Sequence, residues 1–261
     1  MERNRTLRVL ILAAGKGTRM RSDLPKVLHS LGGRPLLSYV LDVAESIGSE
    51  ETIVIVGYGA DSVREAFPNR DLVFVEQHLQ LGTGHAVLQA RDCFSDYEGL
   101  VVILCGDVPL LRPETISDLV SRHRADQSIL TVLTAVLDDP GMYGRIVKND
   151  DNRVIRIVEQ RDATEEERRI REINTGIYCV DSRFLFSAVE EIGRNNAQGE
   201  YYLTDIVGIA AAKGYRVGAL VADDAFEAMG INTPGDLERA RQRMEDKKVR
   251  KKERGGGSSK T

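Results

Sequence analysis

The stretch Leu7–Met20, LRVLILAAGKGTRM, indicates the fold more strongly than any other part of the chain. It opens with a short apolar run, Leu7–Ala13, rich in Leu, Ile and Val, as in strands buried on both faces of a parallel sheet. The run leads into a loop whose glycines let backbone N–H groups approach a phosphate, and Lys16 and Arg19 add positive charge. A buried strand followed by such a loop is typical of α/β proteins that bind phosphate groups.

The glycine-containing loop departs from both standard phosphate-binding sequences. A Walker loop requires GxxxxGK[ST], which this loop does not have, and a dinucleotide fingerprint requires glycine at its sixth position, where Met20 stands. The loop alone therefore leaves two interpretations open, a phosphate-binding loop and a tight turn between strand and helix. Leu24-Pro25-Lys26 favours the first, because proline fixes φ and places Lys26, a compact charge suited to phosphate oxygens, just beyond the loop.

Strand-like and helix-like segments alternate over the first half of the chain. Apolar runs predict buried strands at Leu7–Ala13, Thr52–Gly57, Leu72–Val75 and Leu100–Cys105. Amphipathic stretches predict helices at Pro35–Ile47, Ala60–Phe67, Gly84–Phe94 and Glu114–Arg124. This order predicts right-handed βαβ crossovers and a parallel sheet.

The regular alternation of predicted strands and helices ends after Ile129–Leu137. Gly144–Lys148 and Arg153–Val158 flank a turn rich in Asn and Asp, which predicts a β-hairpin. The chain then returns through a charged segment to an apolar strand, Thr175–Val180. We therefore predict fold class α/β, with one mostly parallel sheet and an antiparallel insertion rather than two independent domains.

The C-terminal region is predicted to hold a further helix and a tail. Thr233-Pro234-x-Asp236 offers an N-cap, a proline at the first helical position and an acidic residue in the first turn. The residues from Arg241 onward are strongly basic and lead into a run of Gly and Ser. We predict one domain over residues 1–240 and a basic, Gly/Ser-rich flexible tail over residues 241–261.

The composition excludes several classes of protein. The 261 residues include 36 Lys and Arg and 40 Asp and Glu, a net charge of −4, so the chain lacks the positive charge of a nucleic-acid-binding protein. The apolar run Val9–Ala14 is far shorter than the roughly 20 residues that span a bilayer, and no membrane association is expected. Cys93, Cys105 and Cys179 form no CxxC pair, which argues against disulfides or structural zinc and favours a cytoplasmic protein.

A second candidate site, Cys105-Gly106-Asp107, stands at the carboxyl end of the fourth predicted strand, where ligands of open α/β sheets bind. The aspartate either holds Mg²⁺ through its hard oxygen or caps a turn. A phosphate loop on a neighbouring strand favours the metal.

A third cluster contains Gln77, Gly82 and Thr83. Gln77 carries both a donor and an acceptor, as a pyrimidine edge does, and Gly82 lets a base lie close to the backbone. The alternative is a flexible turn before a helix, with His85 as a capping or packed histidine. Four later residues, each taken alone, are better explained as turn or cap residues: Gly144, Glu159, Asn174 and Asn232.

Taken in order, these motifs resemble the uridylyltransferase domain of the bacterial bifunctional N-acetylglucosamine-1-phosphate uridylyltransferase/glucosamine-1-phosphate acetyltransferase. The motifs are LAAGKGTRM, LPKVLH, QxxLGTGHA, GDVPL, DDPxxYGRI, EINTGIY, NNAQGEYYLTD and GIN, and together they cover essentially residues 7–235. The resemblance implies a Rossmann-like, three-layer nucleotidyltransferase fold. It also implies the Mg²⁺-assisted conversion of UTP and N-acetylglucosamine 1-phosphate into UDP-N-acetylglucosamine, a peptidoglycan precursor, and pyrophosphate.

The resemblance also implies roles for individual residues. Arg19 and Lys26 would be catalytic residues facing the phosphates, and Asp107 and Asn232 would be the Mg²⁺ ligands. The implied substrate-binding set is Leu12, Ala13, Ala14, Gly15 and Lys26 for the nucleotide, Gln77, Gly82 and Thr83 for uracil and ribose, Cys105, Gly106 and Asp107, and Gly144, Glu159, Asn174 and Asn232 for the sugar and its phosphate.

Two departures limit the resemblance. The bifunctional enzyme continues into a left-handed β-helix that carries acetyl transfer and forms trimers, whereas this sequence ends in a basic run and GGGSSKT. Acetyl transfer and a trimer are therefore not expected, and the expected state is a monomer or a weak homo-oligomer. Cys105 stands where an aromatic residue is often found, which leaves uridylyl transfer to another sugar 1-phosphate open as an alternative. A separate alternative, of a different class, is a catalytically silent protein that binds UDP-sugars.

Overall fold

The computed structural model describes the backbone of residues 6–255 and the side chains of residues 6–246. The strands in this part of the chain are β1 (Leu7–Ala13), β2 (Ser30–Leu31), β3 (Arg34–Pro35), β4 (Thr52–Val56), β5 (Val73–Glu76), β6 (Leu100–Cys105), β7 (Leu130–Val136), β8 (Arg145–Lys148), β9 (Val154–Val158), β10 (Glu172–Asp181) and β11 (Val217–Val221). The helices are α1 (Leu36–Ser46), α2 (Ala60–Glu65), α3 (Thr83–Gln89), α4 (Pro113–Ala125), α5 (Glu165–Arg168), α6 (Ser182–Glu191), α7 (Asp205–Ala212) and α8 (Pro234–Gly255).

A central sheet is built in the order β11-β7-β10-β6-β1-β4-β5. Strands β1, β4, β5 and β6 pair in parallel, as do β7 and β11, whereas β10 runs antiparallel between β6 and β7. The hairpin of β8 and β9 joins the same sheet through β10. These pairings confirm the prediction of a mostly parallel α/β sheet with an antiparallel insertion.

The sheet is the middle layer of three. Alternate residues of β1 enter two different cores, Val9 and Ile11 on one face and Leu10 on the other, because successive side chains of a strand point to opposite faces. The first core packs the sheet against α1, α2 and α4, and the second packs it against α3, α6 and α7. Burial on both faces explains why β1, β4 and β6 are almost entirely apolar.

Helix α8 passes through the boundary predicted at residue 240. Ala240 is fully buried, and Leu237 and Met244 pack against the small cluster that includes Met20 and Leu31. Residues 241–246, which the sequence analysis assigned to a flexible tail, continue this helix, and the domain boundary at residue 240 stays a prediction. Residues 256–261 of the predicted tail lie outside the described residues.

The elements that the sequence analysis did not predict include β2, β3, α5, α6 and β11. The predicted helix Gly84–Phe94 is divided into α3 and a 3₁₀ turn, Arg91–Phe94. None of the helices in the described part of the chain has both the length and the apolar character needed to cross a membrane.

Candidate active site

The carboxyl ends of β1 and β6 place the first two sequence motifs side by side. Leu12 pairs with Cys105 in the parallel register, and the N–H of Gly106 donates to the carbonyl oxygen of Leu12 at 3.0 Å. The loop after β4 joins them, since the N–H of Tyr58 donates to the carbonyl oxygen of Ala14 at 3.1 Å. The glycine-containing loop and Asp107 therefore share one edge of the sheet.

Four charged or polar side chains converge at this edge. The Lys26 ammonium forms an ion pair with Asp107 and donates to Oδ1 of Asn232 at 3.1 Å. Arg19 donates through Nη2 to the same Asn232 oxygen at 2.9 Å. The side chains of Lys26 and Asp107 are only 16% and 14% exposed, so their interaction is only partly screened by water. The residues predicted to be catalytic and those predicted to bind metal thus form one cluster.

Asn232 is held in this cluster by the turn that begins α8. The N–H groups of Asn232 and Thr233 donate to Oδ2 of Asp236 at 2.9 and 2.8 Å, and the N–H of Asp236 donates back to the Thr233 hydroxyl at 3.1 Å. The N–H of Ile231 donates to the carbonyl oxygen of Asp107 at 2.9 Å. The helix cap predicted from the sequence therefore also positions a site residue.

Pro25 and Lys26 each pack closely against a glycine. Gly17 has φ +64°, and a Cβ atom there would lie 2.6 Å from the Cβ of Lys26. Gly59 has φ +65°, and a Cβ atom there would lie 2.4 Å from Cγ of Pro25. Residues with a Cβ atom rarely adopt this backbone conformation, and the neighbouring atoms leave no room for a Cβ atom at either position. Both glycines therefore allow Pro25 and Lys26 to lie against the loop after β1.

We expect Gly59→Ala to lower both stability and turnover. The left-handed backbone costs about 1–2 kcal/mol for a residue with Cβ, and the contact with Pro25 displaces Lys26 as well. The matched control is Gly48→Ala, because Gly48 has φ +70° but has no atom within 4 Å of the added Cβ. Urea unfolding should show a loss of stability in both variants, whereas only Gly59→Ala should lose activity. Equal activity in the two would contradict the role of the Pro25 contact.

Asp107 and Asn232 are the groups able to hold a metal here. Both present oxygen atoms to the Lys26 ammonium, so a positive charge already lies between them. Among the described residues, no three His, Cys, Asp or Glu side chains gather into a metal-binding group. One carboxylate and one amide oxygen fit Mg²⁺, which usually keeps several waters and binds one or two carboxylates together with substrate phosphates.

The loop predicted to bind the nucleotide base is tied to the segment around Tyr201. The N–H of Gly84 donates to the carbonyl oxygen of Tyr201, and the N–H of Tyr201 donates to that of Leu81, both at 2.8 Å. The Thr83 hydroxyl accepts from the N–H of Leu203 at 3.0 Å. Together these three hydrogen bonds hold the loop 81–84 against the segment 201–203. Gln77 lies beneath the loop at 3% exposure.

The residues predicted to bind the sugar also lie together. The N–H of Asn174 donates to the carbonyl oxygen of Gly144 at 2.9 Å, and a Cβ atom on Gly144 would lie 3.4 Å from Oε1 of Glu159. Burial raises the pKa of Glu159, although the Thr204 hydroxyl at 3.4 Å partly offsets this. Asn174 begins a bulge in β10 rather than a turn.

Tyr143 is a site residue that the sequence analysis missed. Burial raises the pKa of its hydroxyl, the backbone of Gly230 partly offsets this, and the negative charge of Asp107 adds to the rise. It thereby connects the Gly144 segment with the Asp107 cluster. The sequence offered one indication of this position, because Tyr143 directly precedes the predicted site residue Gly144 in the YGR motif.

Cys105 is expected to be chemically inert. Burial and the nearby Asp107 raise the pKa of its thiol to about 12. Because the thiolate is the nucleophile, only about 10⁻⁴ of the thiol is reactive at pH 8. Iodoacetamide at pH 8 should therefore leave Cys105 unmodified in the folded protein and alkylate it in urea, as read by peptide mass spectrometry. Rapid alkylation of the folded protein would contradict this environment.

An α/β sheet with a glycine-containing loop beside a carboxylate and two basic side chains is typical of the nucleotidyltransferase class. The chain belongs to the MobA-like NTP transferase domain family, which it matches over residues 9–173. Among solved structures it is similar to that of a UDP-glucose pyrophosphorylase complexed with UDP-glucose, with a TM-score of 0.75 and 17% sequence identity, covering 93% of this chain and 99% of that one. This similarity confirms the fold.

The curated relatives give a narrower comparison. The chain is 51% identical over 235 residues to the bifunctional protein GlmU of Geobacter metallireducens, covering 90% of this chain and 49% of that protein. It is 47% identical over 247 residues to the GlmU of Geobacillus thermodenitrificans, covering 95% and 54%. The chain therefore spans about half the length of the curated relatives it matches. These matches agree with the family predicted from the motifs.

Proposed function

We propose that this chain is a sugar-1-phosphate uridylyltransferase that converts UTP and N-acetylglucosamine 1-phosphate into UDP-N-acetylglucosamine and pyrophosphate. The observation that carries the proposal is the convergence of Arg19, Lys26, Asp107 and Asn232 at the carboxyl edge of β1 and β6. The similarity to GlmU proteins over 90% of the chain supports it. We assign the activity to the domain proposed over residues 1–240, which includes Asn232 and the start of α8.

The proposed reaction needs no general base from the protein. The attacking oxygen belongs to a sugar phosphate that is already ionised at neutral pH. The barrier comes from repulsion between two anions that meet at the α-phosphorus of UTP, and from negative charge that develops on the leaving pyrophosphate. Lys26, which is largely buried, and Arg19, which is exposed, lower this repulsion by fixed positive charge, as in other phosphoryl transfers.

We propose Asp107 and Asn232 as the protein ligands of Mg²⁺. The ion would supply phosphate charge neutralisation and polarisation of a phosphoryl oxygen. Asp107 follows β6 by two residues and its carbonyl oxygen accepts from the N–H of Ile231, while Asn232 is held by its helix cap, so both ligands are fixed before substrate arrives.

The remaining proposed site residues divide between the two substrates. Leu12–Gly15 line the nucleotide, whose uracil and ribose lie against Gln77, Gly82 and Thr83. On the sugar side are Gly144, Glu159 and Asn174. The Glu159 carboxylate offers acceptor oxygens, which suit the hydroxyl and acetamido N–H donors of N-acetylglucosamine.

Pyrophosphate release from the purified chain tests the proposal. The assay contains UTP, Mg²⁺ and one of a panel of sugar 1-phosphates that includes glucose 1-phosphate. We expect release with N-acetylglucosamine 1-phosphate and its loss on adding EDTA. Release with a different sugar alone would replace the proposed substrate. No release with any sugar, together with retained UDP-sugar binding, would make the chain a binding protein.

A further inference from the structure

The amide of Gln77 is held on two sides. Its nitrogen donates to the carbonyl oxygen of Gly82 at 3.0 Å and lies 3.0 Å from Nδ1 of His85. A backbone carbonyl oxygen only accepts hydrogen bonds, so the nitrogen of the amide, rather than its oxygen, faces Gly82. This fixes which end of the Gln77 amide is engaged with the protein.

The His85 ring accepts one hydrogen bond when it is neutral, because one nitrogen carries a proton and the other a lone pair. Two amide nitrogens approach it, that of Gln77 at 3.0 Å from Nδ1 and that of Gln89 at 3.3 Å from Nε2. Gln89 has another acceptor, the backbone oxygen of His85 at 3.1 Å. The shorter distance and this second acceptor place the lone pair on Nδ1 and the proton on Nε2.

The His85 ring is itself held in place. It stacks on Tyr201 with ring centroids 6.2 Å apart and planes inclined by 28°. The backbone of Tyr201 is hydrogen-bonded to the backbones of Leu81 and Gly84. The acceptor that faces Gln77 is therefore part of a rigid arrangement.

We propose that His85 is a positioning residue that makes Gln77 select uracil over cytosine. The inference rests on the proposed function. Because Gly82 and His85 occupy both hydrogens of the Gln77 amide nitrogen, the group left for a ligand is the oxygen, an acceptor. Uracil presents a donor at N3–H, whereas N3 of cytosine carries a lone pair. Where this oxygen meets position 3 of the base, it accepts a hydrogen bond from N3–H of UTP and repels the N3 lone pair of CTP.

The test compares two substitutions of His85 in the full chain. His85→Phe keeps a ring to stack on Tyr201 and removes the acceptor, whereas His85→Asn supplies an amide oxygen in place of Nδ1. We expect the ratio of kcat/KM for UTP to that for CTP to fall about tenfold in His85→Phe, the order of one lost hydrogen bond. In His85→Asn and in the control Gln89→Leu, the ratio should stay within about threefold of wild type.

Two further readouts separate this inference from the proposed function. The ratio of UTP to CTP dissociation constants, measured by calorimetry, should change in the same way without turnover, so an inactive wild type would contradict only the proposed function. ¹⁵N NMR of histidine-labelled wild type should show the Nε2–H tautomer of His85. An Nδ1–H tautomer, or an unchanged UTP preference in folded His85→Phe, would overturn the inference.

Discussion

Lys26→Ala is expected to lower the rate of pyrophosphate release by a factor on the order of 10² or more, comparable with the loss of one preorganised donor from an active site. Lys26 is the cation that contacts both Asp107 and Asn232. Its removal leaves the phosphates with less positive charge and leaves the Asp107 carboxylate without its ion-pair partner. Steady-state kinetics with varied UTP and sugar phosphate measure the change.

The control for this variant is Lys213→Ala. Lys213 is a lysine outside the site: it follows the last residue of α7 and pairs with Glu191 on the surface. Its removal is expected to leave turnover unchanged, since exposed ion pairs contribute about 0–1 kcal/mol to stability. If Lys26→Ala, folded as shown by its circular dichroism, turned over at the wild-type rate, the role assigned to Lys26 would be wrong.

Asp107→Ala should also lose a factor on the order of 10² or more in turnover, with a different dependence on metal. If Asp107 is a Mg²⁺ ligand, its removal raises the Mg²⁺ concentration needed for half-maximal activity. Lys26→Ala removes a positive charge that competes with Mg²⁺ for the Asp107 carboxylate. This variant should therefore not raise the Mg²⁺ concentration needed for half-maximal activity. A Mg²⁺ titration of both variants at saturating substrates distinguishes the two roles.

Asp61→Ala provides the matched control for Asp107→Ala. The Asp61 side chain is 91% exposed and pairs with Arg64 within α2. We expect it to keep wild-type turnover and Mg²⁺ dependence. An unchanged Mg²⁺ requirement in Asp107→Ala would exclude this carboxylate as a ligand, even if turnover fell.

The sequence predicted the strands that carry the site because their signal is local. Leu7–Ala13 and Leu100–Cys105 were predicted with the bounds that the structure shows, since burial on both faces leaves an uninterrupted apolar run. The edge strand β11 was missed because it contains Gly218 and is partly exposed, which blurs the pattern. The start of β10 was predicted late because its bulge, which begins at Asn174, places polar residues inside a central strand.

The convergence of the charged cluster could not be deduced from local patterns. Lys26 and Asp107 are 81 residues apart, and Lys26 and Asn232 are 206 apart. The predicted sheet brought Asp107 to the same edge as the glycine-containing loop, whereas only the resemblance to a known family connected Asn232 with them. The contact between Gly59 and Pro25 and the pairing of Gln77 with His85 depend on backbone geometry that appears only in the folded chain.

The distribution of the charged cluster along the chain has a consequence for biosynthesis. Arg19 and Asn232 touch although 213 residues separate them, so the cluster closes only after α8 has begun to dock. During translation, β1, β4 and β6 leave the ribosome long before Asn232 does. A nascent chain stalled before that residue would hold a nearly complete sheet without a complete site. The appearance of activity during synthesis would therefore mark the last step of assembly rather than the formation of the core.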